Sequence, residues 1–355
     1  MEPLRIGFVG CGHIAMSHRN GLRSADGVEI GPVHDVDPER AHRFAIESGK
    51  SAHVVRDVGA VVEGSDAVYV CTWTAAHTEP VILAAEAGRA VFCEKPLAVD
   101  RAGAASLTRA VAAAGVVNQV GLVMRHSPAF RAMRHMIAEG RIGDPLNVVF
   151  RDDQYLPIHG LYRSTWRADV ERAGAGTLLE HSIHDLDLLT WMLGPIESVA
   201  AQTANHHGHP GIEDVATVTL VAQSGAHATL TSVWHDVMSR PSQRRVEVFG
   251  RTGVLTLEGD WTGPVTLIDS SSPEPVLSLA GDRLVRVADA ADGLSTNPDV
   301  AFAAAVQAGE PAYPDFATAL VAHDLADAAY RSAADGGAPI EISADTGAPG
   351  GAPSD

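Results

Sequence analysis

Two periodicities divide the chain. Over the first third, short apolar runs alternate with stretches of helical period. Residues 4–9, 29–34, 67–71, 90–93 and 116–121 read as buried strands, and 14–25, 38–48, 78–87 and 100–114 as the helices between them. Asp26-Gly27 closes the first helix, and Pro38 suits the first turn of the second. Strands alternating with helices predict a parallel, doubly wound sheet.

After residue 122 the period changes. A helix is expected over 128–139, followed by alternating runs at 146–151, 198–204, 215–222, 226–235, 245–249 and 254–257. Gln223-Ser224-Gly225 and Arg251-Thr252-Gly253 are hairpin signals between such runs. One continuous helix is expected over 176–193, stopped by Gly194-Pro195, and two more near 298–308 and 315–334. The fold class is therefore α/β. A first domain, 1–122, precedes an α+β domain, 123–334, with a large, mostly antiparallel open sheet. The Gly-, Ala-, Pro- and Ser-rich tail, 335–355, is expected to be disordered.

Charge narrows the partners. Lys plus Arg total 26 against 44 Asp plus Glu, a formal net charge of −18. Such a surface repels nucleic acid and anionic membranes, so a bound phosphate must be held locally by backbone N–H groups and a few cations. No run is long and apolar enough to span a bilayer, and no basic segment with an apolar core precedes the first strand. The three cysteines, Cys11, Cys71 and Cys93, have no metal-ligand spacing and suit a reducing compartment. A cytoplasmic protein acting on a small molecule is expected.

The chemistry begins at Gly10-Cys11-Gly12-His13-Ile14-Ala15, a G-x-G-x-x-A motif directly after the first strand. Gly10 permits the tight turn, Gly12 lets a pyrophosphate approach the backbone, and Ala15 allows close helix–sheet packing. The helix N-terminus favours the phosphate charge. This is the Rossmann dinucleotide-binding pattern. Asp35 ends the second strand, where a carboxylate can accept from both ribose hydroxyls and repel a 2′-phosphate. Asp37 is the better helix cap, which leaves Asp35 for the ribose. Arg40 is a cation one turn on, so NAD is favoured over NADP without strict exclusion. Thr72-Trp73-Thr74-Ala75-Ala76-His77 and Glu94-Lys95-Pro96 follow two further strands, at the sheet edge where ligands bind in such folds. His77 as a helix cap and Lys95 as a solvated turn lysine are the bland alternatives.

In the second domain, Gly174-Ala175-Gly176-Thr177 leads into a segment carrying Glu180, His181, His184 and Asp185. On a continuous helix Glu180 and His184 share one face. The carboxylate can orient the imidazole, or the pair can bind a metal; no third ligand is near in sequence, so acid–base chemistry ranks first and no metal is expected. His206-His207-Gly208-His209 precedes Pro210-Gly211 and reads as an exposed loop.

Taken together, Gly10–Ala15, the Glu94-Lys95-Pro96 triplet and the Gly-rich lead into Glu180 and His184-Asp185 resemble the Gfo/Idh/MocA oxidoreductases from residue 4 to about 334. The resemblance implies that Lys95 and His184 are catalytic. Glu180 stands where many members carry Asp, so it either orients His184 or reaches substrate. Gly10, Gly12, His13, Ile14, Ala15, Asp35, Thr72, Trp73, His77, Glu94 and Lys95 would line the cofactor, with Trp166 and Arg167 near nicotinamide. Arg125, Tyr155, Tyr162, Arg163 and His181 are weaker substrate candidates. The expected activity is NAD-dependent hydride transfer at a secondary hydroxyl of a sugar, inositol or related polyol, by a homodimer or homotetramer joined through the open sheet. The alternatives are NAD-dependent glycoside cleavage by transient oxidation and a non-catalytic NAD-binding regulator.

Overall fold

The computed structural model describes residues 2–160, 162–272 and 274–342. Contacts divide them into two compact units. The first comprises the chain up to Leu122 together with Glu171–Gly174 and Asn297–Leu320; the second comprises Val123–Val170, Ala175–Thr296 and the chain from Val321. The helix Pro298–Ala308, placed by its sequence position in the second domain, thus belongs to the first unit, where it packs on the helix His13–Leu22.

Among the described residues, the first unit holds strands β1 (Leu4–Val9), β2 (Val28–His34), β3 (His53–Val54), β4 (Ala67–Val70), β5 (Ala90–Cys93) and β6 (Asn118–Val120). They pair in the order β3-β2-β1-β4-β5-β6, every pair parallel. β4 and β5 are buried along their whole length, as expected where helices cover both faces. Phe8, Tyr69 and Phe92 stack side by side across β1, β4 and β5, and Phe302 closes on them edge-on. The strand order reverses between β1 and β4, so their carboxyl ends form the crevice in which such sheets bind ligands.

The second unit holds β7 (Pro145–Tyr155), β8 (Ile196–Ala204), β9 (Val215–Ala222), β10 (His227–His235), β11 (Gln243–Gly250), β12 (Gly253–Glu258), β13 (Val265–Asp269), β14 (Leu277–Leu279) and β15 (Ile340–Glu341). Their order is β14-β13-β12-β11-β7-β10-β9-β8-β15, antiparallel except for the parallel pair β7 and β10. Burial alternates along β9, β10 and β11, the mark of a sheet with one packed face. Both hairpin signals fall between paired strands, β9–β10 and β11–β12.

The helix expected over 176–193 is two helices, Thr177–Glu180 and Ile183–Leu193. The N–H groups of His181 and Ser182 both donate to the Thr177 carbonyl, and the Ser182 carbonyl starts the next helix by accepting from Asp185 and Leu186. The Ser182 hydroxyl is tied to Asp152 and Ser232 on the sheet, which fixes the break. The argument that Glu180 and His184 share one helical face therefore fails. The tail reading also needs correction. Residues 340–341 form β15 beside Ser198 and Val199, because the backbone there finds an open strand edge; 343–355 lie outside the described residues.

Candidate active site

The glycine loop is shaped by backbone demands. Gly10 has φ 88°, and a Cβ on it would stand 2.5 Å from the Cys71 carbonyl oxygen. A Cβ on Gly12 would meet nothing within 4 Å. Gly12 precedes the helix His13–Leu22 and offers no capping side chain, so the first-turn N–H groups and the helix dipole face that open space. Ala15 is buried against the sheet, while His13 and Ile14 are exposed.

Asp35 has two tasks. Its carboxylate accepts from the backbone N–H of Cys11 (2.7 Å) and of Asp37 (2.8 Å), clamping the loop to the end of β2. An ionised carboxylate has about four acceptor positions, so capacity remains for ribose hydroxyls. Asp37 caps the next helix, accepting from Glu39 and Arg40, and Arg40 lies 3.7 Å from Asp35. The open space at Gly12 and the acceptor at Asp35 fit a dinucleotide.

The residues beyond β4 and β5 are held together more than expected. The Thr72 hydroxyl donates to the Trp73 carbonyl, and the Arg172 guanidinium lies over the Trp73 ring at 5.0 Å. His77 is buried and makes no side-chain cap bond; its ring faces the Thr72 carbonyl (3.3 Å) and the Leu97 carbonyl (3.4 Å), joining the two loops. Lys95 is half-buried and follows β5.

The Glu94 carboxylate turns into the unit, where two donors meet it: His18 Nε2 (2.8 Å) and the Lys95 backbone N–H (3.2 Å). His18 and its second partner, Asp299, went unnoticed in the sequence. His18 shares the buried face of its helix with Ala15 and Leu22, a spacing that reads as core. Asp299 lies 281 residues away and gives no local signal.

In the second unit, Glu213 organises the approach to Glu180. Its carboxylate accepts from the N–H groups of Gly176 (2.7 Å) and Leu178 (2.9 Å) and from the Tyr330 hydroxyl (2.9 Å), capping the short helix Thr177–Glu180. Burial pushes the Glu213 carboxyl up against these donors, which favour the ionised form. Glu180 is buried and accepts from Arg167 Nε at 3.0 Å; the Arg167 guanidinium also lies over Trp166 at 4.2 Å. Trp166, Arg167 and Glu180 are thus one contact group. His184, also buried, lies in the first turn of the helix Ile183–Leu193.

Beneath this segment lies a buried ionic cluster. Arg244 donates to Asp185 (2.6 Å), Asp152 (3.2 Å) and Asp260 (2.8 Å), and His181 reaches Asp152 at 3.0 Å. Burial pushes Asp185 well above the usual carboxylate range, against the Arg244 guanidinium and with the help of Asp152.

The substrate candidates separate. Arg125 makes a buried two-point ion pair with Asp187 (2.8 and 2.7 Å) and lies over Trp191, an arrangement that anchors helix to turn. His181 is drawn toward Asp152. Tyr155 and Tyr162 pair ring to ring at 5.5 Å, and Arg163 is exposed with φ 47°, an uncommon backbone state for a side-chain-bearing residue.

Cys11, Cys71 and Cys93 are buried free thiols at the carboxyl edge of β1, β4 and β5. Burial pushes Cys11 up to about 12 and the other two well above their ordinary value, so all three stay neutral and unreactive. Asp214 accepts from the backbone N–H groups of His206 and His207 and from the His207 ring, which folds the histidine loop on itself. Among the described residues no group of His, Cys, Asp and Glu could hold a metal ion, and no helix is long and apolar enough to cross a membrane.

Two family models match the chain. Residues 4–122 match the oxidoreductase family with the NAD-binding Rossmann fold, and 130–256 match the GFO/IDH/MocA C-terminal domain. The chain belongs to the GFO/IDH/MocA oxidoreductase family, and its first unit carries an NAD-binding Rossmann domain. It is 34% identical over 255 residues to 1,5-anhydro-D-fructose reductase of Ensifer adhaerens, covering 71% of this chain and 74% of that protein. It is 29% identical over 337 residues to inositol 2-dehydrogenase of Cereibacter sphaeroides, covering 93% and 95%. A putative myo-inositol dehydrogenase from Sinorhizobium meliloti superposes with a TM-score of 0.75 at 28% identity, covering 96% of this chain and all of that one (100%).

Proposed function

We propose that this oxidoreductase transfers hydride between NAD and a secondary hydroxyl of a sugar, inositol or related polyol. The observation that carries the reading is the glycine loop clamped to Asp35 and open at Gly12; Lys95 and His184 enter it as the residues that the family resemblance makes catalytic. The relatives named for anhydrofructose and inositol chemistry support the substrate class.

NAD, when bound, supplies the two-electron redox chemistry. The protein holds and orients. Gly10, Gly12 and the first turn of the helix His13–Leu22 would take the pyrophosphate, and Asp35 the adenosine ribose. His184 takes the proton from the hydroxyl, a task for which imidazole has a suitable ordinary pKa near neutrality. Lys95 donates a hydrogen bond to the same oxygen and stabilises its developing negative charge. Glu180, fixed by Arg167, positions substrate or the imidazole.

The test is a panel of sugars, inositols and glycosides with NAD, following NADH absorbance and released aglycone together. NADH formation with a free polyol is the expected result. Aglycone release without net NADH would replace the reading with redox-neutral glycoside cleavage. No turnover despite NAD binding would favour a regulator.

The same proposal includes self-association. Val149, Phe249 and Ile268 stand exposed on β7, β11 and β13 among polar neighbours such as Arg245 and Glu247, and exposed apolar side chains on an open sheet favour a partner. A second copy of this chain is the expected partner. Light scattering at micromolar concentration should give a dimer or tetramer; a stable monomer refutes it.

A further inference from the structure

The first unit buries a chain of charges that the proposed reaction does not use. His18 Nδ1 donates to Asp299 Oδ1 (2.7 Å) and His18 Nε2 to Glu94 Oε1 (2.8 Å). With both carboxylates ionised, each ring nitrogen carries a proton and the ring is an imidazolium. All three side chains are more than nine-tenths buried. The unit makes room for them: a Cβ on Gly121 would stand 2.5 Å from the Glu94 carboxylate, and one on Gly21 2.0 Å from that of Asp299. The chain ends on the Lys95 backbone N–H, which donates to Glu94 Oε2 at 3.2 Å.

We propose that His18 and Asp299 are positioning residues for Lys95: the imidazole ring, pinned by Asp299, fixes the Glu94 carboxylate, which in turn holds the Lys95 backbone N–H. The inference rests on the proposed role of Lys95 for its meaning in the reaction, although its measurement does not.

The electrostatics agree with the geometry. Burial opposes ionisation of Glu94, and the His18 hydrogen bond and charge, followed by the Lys95 charge, overcome it and hold the carboxyl below its ordinary value. Burial also opposes charging His18, and Asp299 with Glu94 raise it to about 10. The other ionisable groups facing this chain are Tyr69 on β4, Cys71 after it, Cys93 on β5, and His77. Burial keeps the phenol and both thiols neutral, so they do not compete for the imidazolium. Without His18, Glu94 Oε1 loses its buried donor, and the carboxylate that holds the Lys95 N–H is no longer fixed.

The composition allows a direct reading. Lys50 and Lys95 are the chain's two lysines, and Lys50 is exposed. Selective ¹⁵N labelling of lysine therefore gives two backbone amide signals, assigned by Lys50→Arg, with Lys50 as internal reference. In Glu94→Ala the Lys95 amide loses its acceptor and should exchange with solvent about tenfold faster or more, the effect of losing a hydrogen bond to a charged group. His18→Gln should move it the same way, and Asp299→Asn less far in that direction. A folded His18→Gln whose Lys95 amide exchanges as in wild type overturns the proposal. If His18→Gln does not fold, Asp299→Asn is read by the same criterion. Lys95→Ala with unchanged turnover would sink the catalytic role of Lys95 and leave this result standing.

Discussion

Gly12 and Gly176 each precede a helix that carries site residues, one in each unit, and they are glycine for opposite reasons. A Cβ on Gly12 meets nothing within 4 Å, whereas one on Gly176 would lie 1.8 Å from the Glu213 carbonyl oxygen. On the proposed reading, the first glycine keeps space for the cofactor's pyrophosphate. The second lets the protein fill space with its own backbone, so that Glu213 caps the helix Thr177–Glu180. The units follow suit. In the first, a ligand would complete the helix terminus; in the second, carboxylates and Arg244 complete the structure from within.

The largest effects should therefore fall on the stability of the second unit. Gly176→Ala forces its methyl into backbone, and Arg244→Leu leaves Asp152 and Asp260 without their shared cation. Removing one partner of a buried ion pair costs about 3–5 kcal/mol, read as a loss in urea denaturation. Gly12→Ala should leave that denaturation curve in place and weaken NAD binding instead. A methyl forced into a close contact costs about 1–3 kcal/mol, roughly 5- to 150-fold in affinity. If Gly12→Ala lowers stability as much as Gly176→Ala, the contrast is wrong.

The same contrast explains what could be read in the sequence. In the first unit, β1, β5 and the loop between β1 and its helix follow from local pattern. A parallel strand buried on both faces is a plain apolar run, and a dinucleotide loop needs glycine at fixed spacing. In the second, β7–β12 were visible through alternation. The helix break at His181-Ser182 was not, because it depends on Asp152 and Ser232 from distant strands. The partners of Glu94 were hidden for the same reason: His18 sits at core spacing, and Asp299 arrives from a helix near the end of the chain. Elements with weak periodicity, such as β3, β13 and β14, were also missed.

Turnover should respond next. On the proposed mechanism Lys95→Ala removes a donor that stabilises developing charge, which typically costs about 10²–10³ in rate. NAD affinity should change only a few-fold. On the proposed mechanism His184→Ala removes the base and should lose most activity. Stopped-flow NADH formation with the polyol found in the panel checks both. Full turnover in either variant returns that residue to a structural role.

A smaller effect separates the units by pH. His18 is raised from 6.5 to about 10 in the folded chain. Its contribution to stability is fully present below about 6.5 and is lost as pH rises toward 10, because the folded state then binds a proton that the unfolded state does not. Stability should decline across that window, and His18→Gln should flatten the decline. Equal slopes in wild type and His18→Gln would mean that the imidazole is neutral.

The smallest expected effect is a change in the gap between NAD and NADP, which tests whether Asp35 serves the loop and the ribose together. Asp35→Asn keeps the shape but replaces one acceptor with an N–H₂ donor, which then faces the backbone N–H of Cys11 or of Asp37. One loop clamp is lost, at a net cost of about 1.5–3 kcal/mol for a hydrogen bond to a charged group. NAD affinity should fall by roughly 10- to 100-fold. The charge that repels a 2′-phosphate also disappears, and Arg40, 3.7 Å from Asp35, is released to meet one. NADP should therefore lose less affinity than NAD, and the gap between them should narrow. Calorimetric titration of both cofactors on wild type and variant measures the two changes separately. Equal losses for NAD and NADP would mean that Asp35 acts through the loop alone, and cofactor choice would then have to come from elsewhere.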